Sequence, residues 1–219
     1  MASHKKIVQK IYNLLNNLVI SLHLIFSMIA QLFKQLYRMI LQPAMAWKVL
    51  ADEKKEETTE DDSFFKTYLY PVIGIVAILT FTGVFFHRKE FSVELALRLT
   101  IKVSIALFAG FYMASFFLSK LMERFFSTVN NEKLCQGFVG YSSALVYVVY
   151  MILAIFPGFG FLQLILLYTV YIIWEGATVY MQITESERNK FTAAATAIIL
   201  LSPFIIEKIM LFTMPGMRS

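Results

Sequence analysis

No charged side chain occurs in residues 134–174, which read LCQGFVGYSSALVYVVYMILAIFPGFGFLQLILLYTVYIIW. A transmembrane helix needs about 20 apolar residues, so this run is long enough for two of them. The sequence Pro157-Gly158-Phe159-Gly160 interrupts it, and such a Pro/Gly cluster predicts a tight turn between antiparallel helices. The stretch therefore predicts two membrane spans, at roughly residues 138–156 and 160–181.

Three further apolar runs of span length surround this stretch, at residues 67–86, 99–118 and 191–212. The composition agrees, because 58% of the residues are hydrophobic and only 16% are charged. A soluble domain carries about 45–50% apolar and about 25% charged residues. The sequence therefore predicts an all-α, polytopic integral membrane bundle with five transmembrane helices in residues 67–212, followed by a short tail at 213–219.

Residues 1–42 show the three- and four-residue apolar spacing of an amphipathic helix, with basic but no acidic side chains. Such a helix suits the plane of a membrane interface, and we predict an interfacial helix here. The alternative is an additional short span at residues 18–33, which falls below the usual length of about 20 residues. Pro43 is expected to end the helix.

Residues 43–66 are predicted to form an acidic linker to the first span, with Trp47 as an anchor at the membrane interface. Acids outnumber bases in residues 52–62 of this segment. Such a charge run is typical of a solvated linker. The alternative interpretation is a docking strip for a basic partner.

The loops between the predicted spans differ in their content of Lys and Arg, which favour the cytoplasmic side. If the amino terminus is cytoplasmic, nine of these residues lie in inside loops and four lie outside. The inside set is Lys48, Lys54, Lys55, Lys66, Lys120, Arg124, Lys133, Arg188 and Lys190, and the outside set is Arg88, Lys89, Arg98 and Arg218. We therefore predict a cytoplasmic amino terminus and an external carboxyl terminus.

Charged residues within the predicted spans are candidates for function, because an unpaired charge at the bilayer centre costs at least about 2.5–3.5 kcal/mol. Glu175 lies about six residues, or roughly 9 Å, inside its span. It is the principal candidate, expected near Tyr141 and Ser142 of the third span. The alternative is a structural carboxyl group that is protonated or held by hydroxyl donors of a neighbouring helix. Lys102 and Glu207 share a depth near the outer surface, so we predict that they pair.

Catalytic, cofactor and metal sites are not predicted. The three histidines fall outside the predicted spans, so neither Ser142 nor Ser143 has an expected histidine base. No acids or histidines have metal-ligand spacing, and the single Cys135 allows neither a disulfide nor a cysteine zinc site within one chain. The net charge of +5 reflects basic residues at span ends and in the amino-terminal segment, where lipid head groups explain them, so no nucleic-acid partner is predicted.

Two short motifs accompany this layout, Tyr68-Leu69-Tyr70-Pro71 at the first span and Gly140-Tyr141-Ser142 at the third. Together with Pro43 and Trp47 before an acidic segment, five spans and a short tail, they resemble the Yip family of Ypt/Rab-interacting membrane proteins and their bacterial relatives. The resemblance covers about Leu41 to the carboxyl end. The short amino-terminal region is more similar to the bacterial members.

The resemblance implies a five-span protein without known catalytic residues, here in a bacterial inner membrane. Expected partners are membrane lipids, other membrane proteins or a second copy of the chain. Two functions are consistent with the sequence. The first is a membrane-organising scaffold, and the alternative is a small transporter or channel that uses Glu175.

Overall fold

The computed structural model describes residues 2–56, 63–87, 92–126 and 132–213, and these residues form helices and short connections without a strand. The α-helices are α1 Ala2–Leu41, α2 Pro43–Glu56, α3 Tyr70–His87, α4 Val93–Phe125, α5 Glu132–Ser142, α6 Ala144–Ile155, α7 Thr169–Val179 and α8 Arg188–Thr213. A π-helical turn, Phe65–Leu69, precedes α3, and a 3₁₀ helix, Pro157–Tyr168, precedes α7.

Five described helices are long and apolar enough to cross a membrane: Asn16–Leu41, Phe65–Phe86, Val93–Phe125, Pro157–Val179 and Arg188–Thr213. A further candidate is the pair Glu132–Ser142 and Ala144–Ile155, which meet at an angle of 43°. The predicted all-α membrane fold is confirmed; four of the five predicted spans correspond to single helices, and the third corresponds to the bent pair. Asn16–Leu41 is the helix that we predict to lie on the membrane surface, and that placement stays a prediction.

The third and fourth spans both depart from a regular α-helix. Ser143 separates α5 from α6, and its hydroxyl donates a hydrogen bond of 2.7 Å to the carbonyl oxygen of Val139. Such bonding to the preceding turn bends helices. Phe156 then leaves the helical conformation, and Pro157 begins the 3₁₀ helix. The predicted break at Pro157 is therefore present, but the fourth span begins as a tighter helix than expected.

Residues 43–56 form a helix where the sequence interpretation placed part of a linker. Helix α2 buries Ala46, Trp47 and Leu50, which lie on one helical face, and it contacts α7. Trp47 is fully buried between helices, which differs from the interfacial anchor that we expected. Residues 57–62 of the acidic run lie outside the described residues, as do residues 214–219 and the loop cations Arg88, Lys89 and Arg218.

Helix α1 has two parts with different surroundings. Residues 32–39, the docked segment, bury Leu32, Leu36 and Met39 against the bundle, where α1 contacts α3, α5 and α6. Residues 16–26, the exposed segment, carry seven large apolar side chains that are 49–73% exposed. Only the docked segment therefore belongs to the hydrophobic core of the described structure.

Candidate functional site

Trp47 joins α2 to the bundle through an aromatic cluster. Its indole nitrogen donates a hydrogen bond of 2.8 Å to the carbonyl oxygen of Ile172 in α7. Its ring stacks on Phe138 with centroids 5.1 Å apart and lies 5.0 Å from the ring of Tyr180. A β-carbon at Gly176 would lie 2.5 Å from the Trp47 ring, so glycine permits this close approach. We call this arrangement the Trp47 joint.

Tyr141 and Ser142, two of the predicted site residues, lie beside this joint. The Tyr141 ring centroid is 4.7 Å from that of Tyr68, 5.2 Å from that of Phe64 and 6.4 Å from that of Trp47. Ser142 is fully buried, and its hydroxyl has no hydrogen-bond partner among the described residues. The third span therefore contributes Tyr141 to the contact between α2, α5 and the residues that lead into α3.

Glu175, the principal predicted site residue, lies on a different face of α7. Ile172 and Gly176 make the contacts with Trp47. Glu175 is half-buried and lies seven residues after Tyr168 and four residues after Tyr171, so the three side chains share one side of the helix. Both tyrosines are exposed at the bundle surface, and Tyr168 lies within electrostatic reach of Glu175. The contacts of α7 with the Trp47 joint thus involve residues other than Glu175.

A cleft of about 620 Å³ lies between α1, α2 and the beginning of the first span. The polar face of α1 lines it with Lys34, Arg38 and two glutamines, and α2 contributes Glu53. Tyr141 reaches the same cleft from α5. Since Leu32, Leu36 and Met39 of the docked segment are buried in the core, α1 presents its basic side chains to this α1–α2 cleft.

Lys102 and Glu207, the predicted pair, meet at the opposite end of the bundle. The Lys102 ammonium nitrogen lies 2.7 Å from Oε1 of Glu207, and the two side chains are 20% and 27% exposed. A cavity of about 370 Å³ surrounds this ion pair and is lined by α3, α4, α6, the 3₁₀ helix and α8. We call it the ion-pair cavity. Glu175 lines neither this cavity nor the α1–α2 cleft.

In the described part of the chain, no three His, Cys, Asp or Glu side chains lie close enough together to bind a metal ion. The polar groups that the structure brings together are instead an ion pair, buried hydroxyls and the basic face of α1. Groups of this kind interact with other molecules through charge and hydrogen bonding.

The helices, their apolar lengths and the paired charges define a polytopic helical membrane protein. Comparison with protein-family models matches residues 37–206, more than half of the chain, to the Yip1 domain. The chain therefore belongs to the Yip family, as its resemblance predicted, and this is a family of non-enzymatic membrane proteins that interact with other membrane-associated proteins. No curated protein and no solved structure matches the chain.

The limits of the family match divide α1. The match begins within the docked segment and includes α2 and the Trp47 joint, whereas the exposed segment precedes it. The sequence interpretation missed α2 as a packed helix and the α1–α2 cleft. Ala46, Trp47 and Leu50 share one helical face, and this spacing was the signal that a helix continues after Pro43.

Proposed function

We propose that this Yip family member is a membrane-organising scaffold in which the exposed segment of α1 inserts its apolar face into one leaflet. One observation carries the proposal. The docked segment fixes α1 to the bundle, while the continuous helix leaves seven large apolar side chains of residues 16–26 exposed. An amphipathic helix inserted at the boundary of head groups and acyl chains displaces lipid in one leaflet and responds to membrane curvature.

The α1–α2 cleft supports the same proposal. Lys34 and Arg38 lie on the polar face of α1 and line the cleft. Each cation near a membrane surface contributes about 1 kcal/mol of attraction to anionic lipids. The basic face thus complements an anionic leaflet, and the exposed segment supplies the apolar contact.

The proposed location is a bacterial inner membrane with the amino terminus in the cytoplasm and the carboxyl terminus outside. Nine of the loop Lys and Arg residues then lie inside against four outside. Reporter fusions after Glu132 and Arg188 are expected to report cytoplasm, and a fusion after Ser219 the opposite side. A cytoplasmic signal after Ser219 would reject this topology.

The function is tested by reconstituting the full chain into vesicles that contain anionic lipid and measuring vesicle diameter by electron cryomicroscopy. The wild type is expected to produce narrow or tubular vesicles. The double variant Leu22→Gln/Phe26→Gln, which makes two of the seven exposed apolar positions polar, is expected to remodel vesicles much less than the wild type. The matched control Ser21→Gln/His23→Gln alters polar positions of the same segment and should remodel vesicles like the wild type. Remodelling by the Leu22/Phe26 variant at wild-type level would reject the proposal.

The alternative function is transport that uses Glu175, whose half-buried position within a candidate span favours it. Proteoliposome flux assays at two pH values separate the two functions. Under transport, Glu175→Gln abolishes a pH-dependent flux, whereas the control Glu123→Gln, an exposed acid near the end of α4, leaves it intact. Under the scaffold function, the wild type has no such flux.

A further inference from the structure

The ion-pair cavity contains two full charges inside the membrane-spanning bundle. Lys102 lies nine residues from the start of α4 and Glu207 six residues from the end of α8, or roughly 14 Å and 9 Å along their helices. Both are partly accessible within a cavity of about 370 Å³. Intramembrane charges mark ligand sites because their burial is costly unless a partner or ligand compensates it.

The remaining lining of the cavity is apolar apart from a few polar side chains. Thr80 of α3, Tyr150 of α6 and Gln163 of the 3₁₀ helix line it, and Tyr150 lies within electrostatic reach of Glu207. An apolar cavity of this size with a few convergent polar groups is the usual form of a ligand site. Lys102 and Glu207 are the charged residues of its described lining.

The helix beside the cavity is also unusual. The 3₁₀ segment Pro157–Tyr168 is kinked at Phe159, whose φ of -87° and ψ of 36° are not helical, and the part after the kink is still longer than the three or four residues usual for a 3₁₀ run. Non-α backbone within a membrane is tolerated where it is covered by protein or lines a cavity, and Pro157, Gln163 and Leu166 of this helix line the ion-pair cavity. The irregular helix therefore coincides with the charged site.

The charges restrict the class of ligand. An anion would contact Lys102 but face the carboxylate of Glu207, and a cation would have the reverse conflict. A zwitterion satisfies both groups. An ammonium has three donors and a carboxylate about four acceptor positions, so the pair at 2.7 Å is able to bind a zwitterion without separating. A primary ammonium donates hydrogen bonds to a carboxylate, which a quaternary ammonium cannot do.

We propose that the ion-pair cavity binds the zwitterionic head group of a phosphatidylethanolamine lipid, with its phosphate at Lys102 and its primary ammonium at Glu207. The apolar walls, which include Val103, Leu153 and Phe204, face the glycerol and first acyl carbons. This site goes beyond the proposed membrane-organising function, which concerns α1 at the other end of the chain. Loss of either property leaves the other measurable.

The test uses the purified full chain in detergent micelles with palmitoyl-oleoyl lipids that carry ethanolamine, choline or glycerol head groups. Native mass spectrometry measures how many lipids of each type the protein retains. The wild type is expected to retain the ethanolamine lipid about tenfold better than the other two. Equal retention of the three lipids would overturn the proposal.

The decisive variant is Lys102→Met/Glu207→Gln, which removes both charges together and so leaves neither unpaired in the bundle. It is expected to fold, as judged by an unchanged thermal transition of the lipid-free protein, and to lose the preference for ethanolamine. The matched control is Lys120→Met/Glu123→Gln, which removes an exposed ion pair of the same 2.7 Å separation near the end of α4. The control should keep the preference. A preference retained by the Lys102/Glu207 variant would overturn the proposal.

A soluble zwitterion with the same head group separates the two sources of this chemistry. Glycerophosphoethanolamine is expected to leave lipid retention unchanged, because it lacks the acyl chains that contact the apolar walls. Displacement of the lipid by glycerophosphoethanolamine in the wild type at equal concentration would overturn the assignment to a lipid.

If the two double variants fail to fold, Tyr150→Phe in the wild-type background provides the same readout with the ion pair intact, and it is expected to lower the preference severalfold. An unchanged preference in Tyr150→Phe would then overturn the proposal.

Discussion

The docked and exposed segments of α1 have similar apolar content but opposite surroundings. Leu36 in the docked segment is 1% exposed, whereas Leu22 two heptads earlier is 57% exposed. The docked segment meets α3, α5 and α6 and is followed by the Trp47 joint, while the exposed segment has no comparable helix against it in the described structure. Apolar side chains thus stabilise the bundle in one segment and are available to lipid in the other.

The largest expected effect is the loss of the Trp47 joint. Trp47→Ala removes a fully buried ring and the hydrogen bond to Ile172, so it should lower the free energy of unfolding by about 3–5 kcal/mol. Denaturant titration in mixed micelles measures this change. Trp174→Ala is the control, because Trp174 is only half-buried. Its ring centroid lies 4.2 Å from the guanidinium carbon of Arg188. An equal loss in both variants would show that Trp47 has no special role in docking α2.

The second prediction compares leucines of the two α1 segments directly. Leu36→Ala should lower the free energy of unfolding by about 2–5 kcal/mol because it leaves a cavity in the core. Leu22→Ala should change it by no more than about 0.5 kcal/mol, since the side chain is exposed. The same titration measures both variants. Similar losses would contradict the division of α1 into two segments.

The third prediction sharpens the role of the joint. Gly176→Ala places a methyl group against the Trp47 ring and should cost about 1–3 kcal/mol through overpacking. Gly158→Ala is the matched control, because a β-carbon added at Gly158 would meet no atom within 4 Å. Thermal unfolding of the two variants separates them. A stable Gly176→Ala protein would mean that α2 adjusts its position easily.

The smallest expected effect concerns the basic face of α1. A peptide of residues 1–42 should gain helicity on anionic vesicles, and Arg38→Gln should weaken its binding by about 1 kcal/mol, or roughly fivefold. Gln35→Asn, on the same face but uncharged, should bind like the parent peptide. Circular dichroism during vesicle titration measures both, and added salt should weaken the parent. Binding that is independent of salt would exclude the electrostatic contribution.

The membrane fold was predictable from the sequence because charge-free runs of span length and a Pro/Gly break are strong local signals. The pairing of Lys102 with Glu207 was proposed from depth alone, and the structure places the two side chains in contact. The Trp47 joint was not predictable in the same way. Trp47 contacts residues about 90 to 130 positions later in the chain, and neither hydropathy nor spacing indicates which helix an aromatic side chain meets.

Glu175 shows the other limit of sequence interpretation. The sequence indicates how deep Glu175 lies in the fourth span, but not which neighbour its side chain faces. That depends on the rotation of α7 about its axis, and Gly176 fixes this rotation because it leaves room for the Trp47 ring. The long 3₁₀ helix before α7 was likewise not visible, since the sequence of residues 161–168 contains ordinary span residues. Helix rotation and helix type are determined by packing between helices, so they need the tertiary structure.

The most direct test of the membrane-organising account is the depth of the exposed segment in a bilayer. Single cysteines at Leu18, Leu22 and Ile25 of the exposed segment and at Ile29, just after it, are introduced one at a time into full-length Cys135→Ala protein and carry a spin label in reconstituted vesicles. The account predicts that all four labels lie at one shallow depth, about 5–10 Å below the head groups. A depth that changes steadily by about 1.5 Å per residue, or roughly 16 Å from position 18 to position 29, would show that the helix crosses the membrane and would contradict the account.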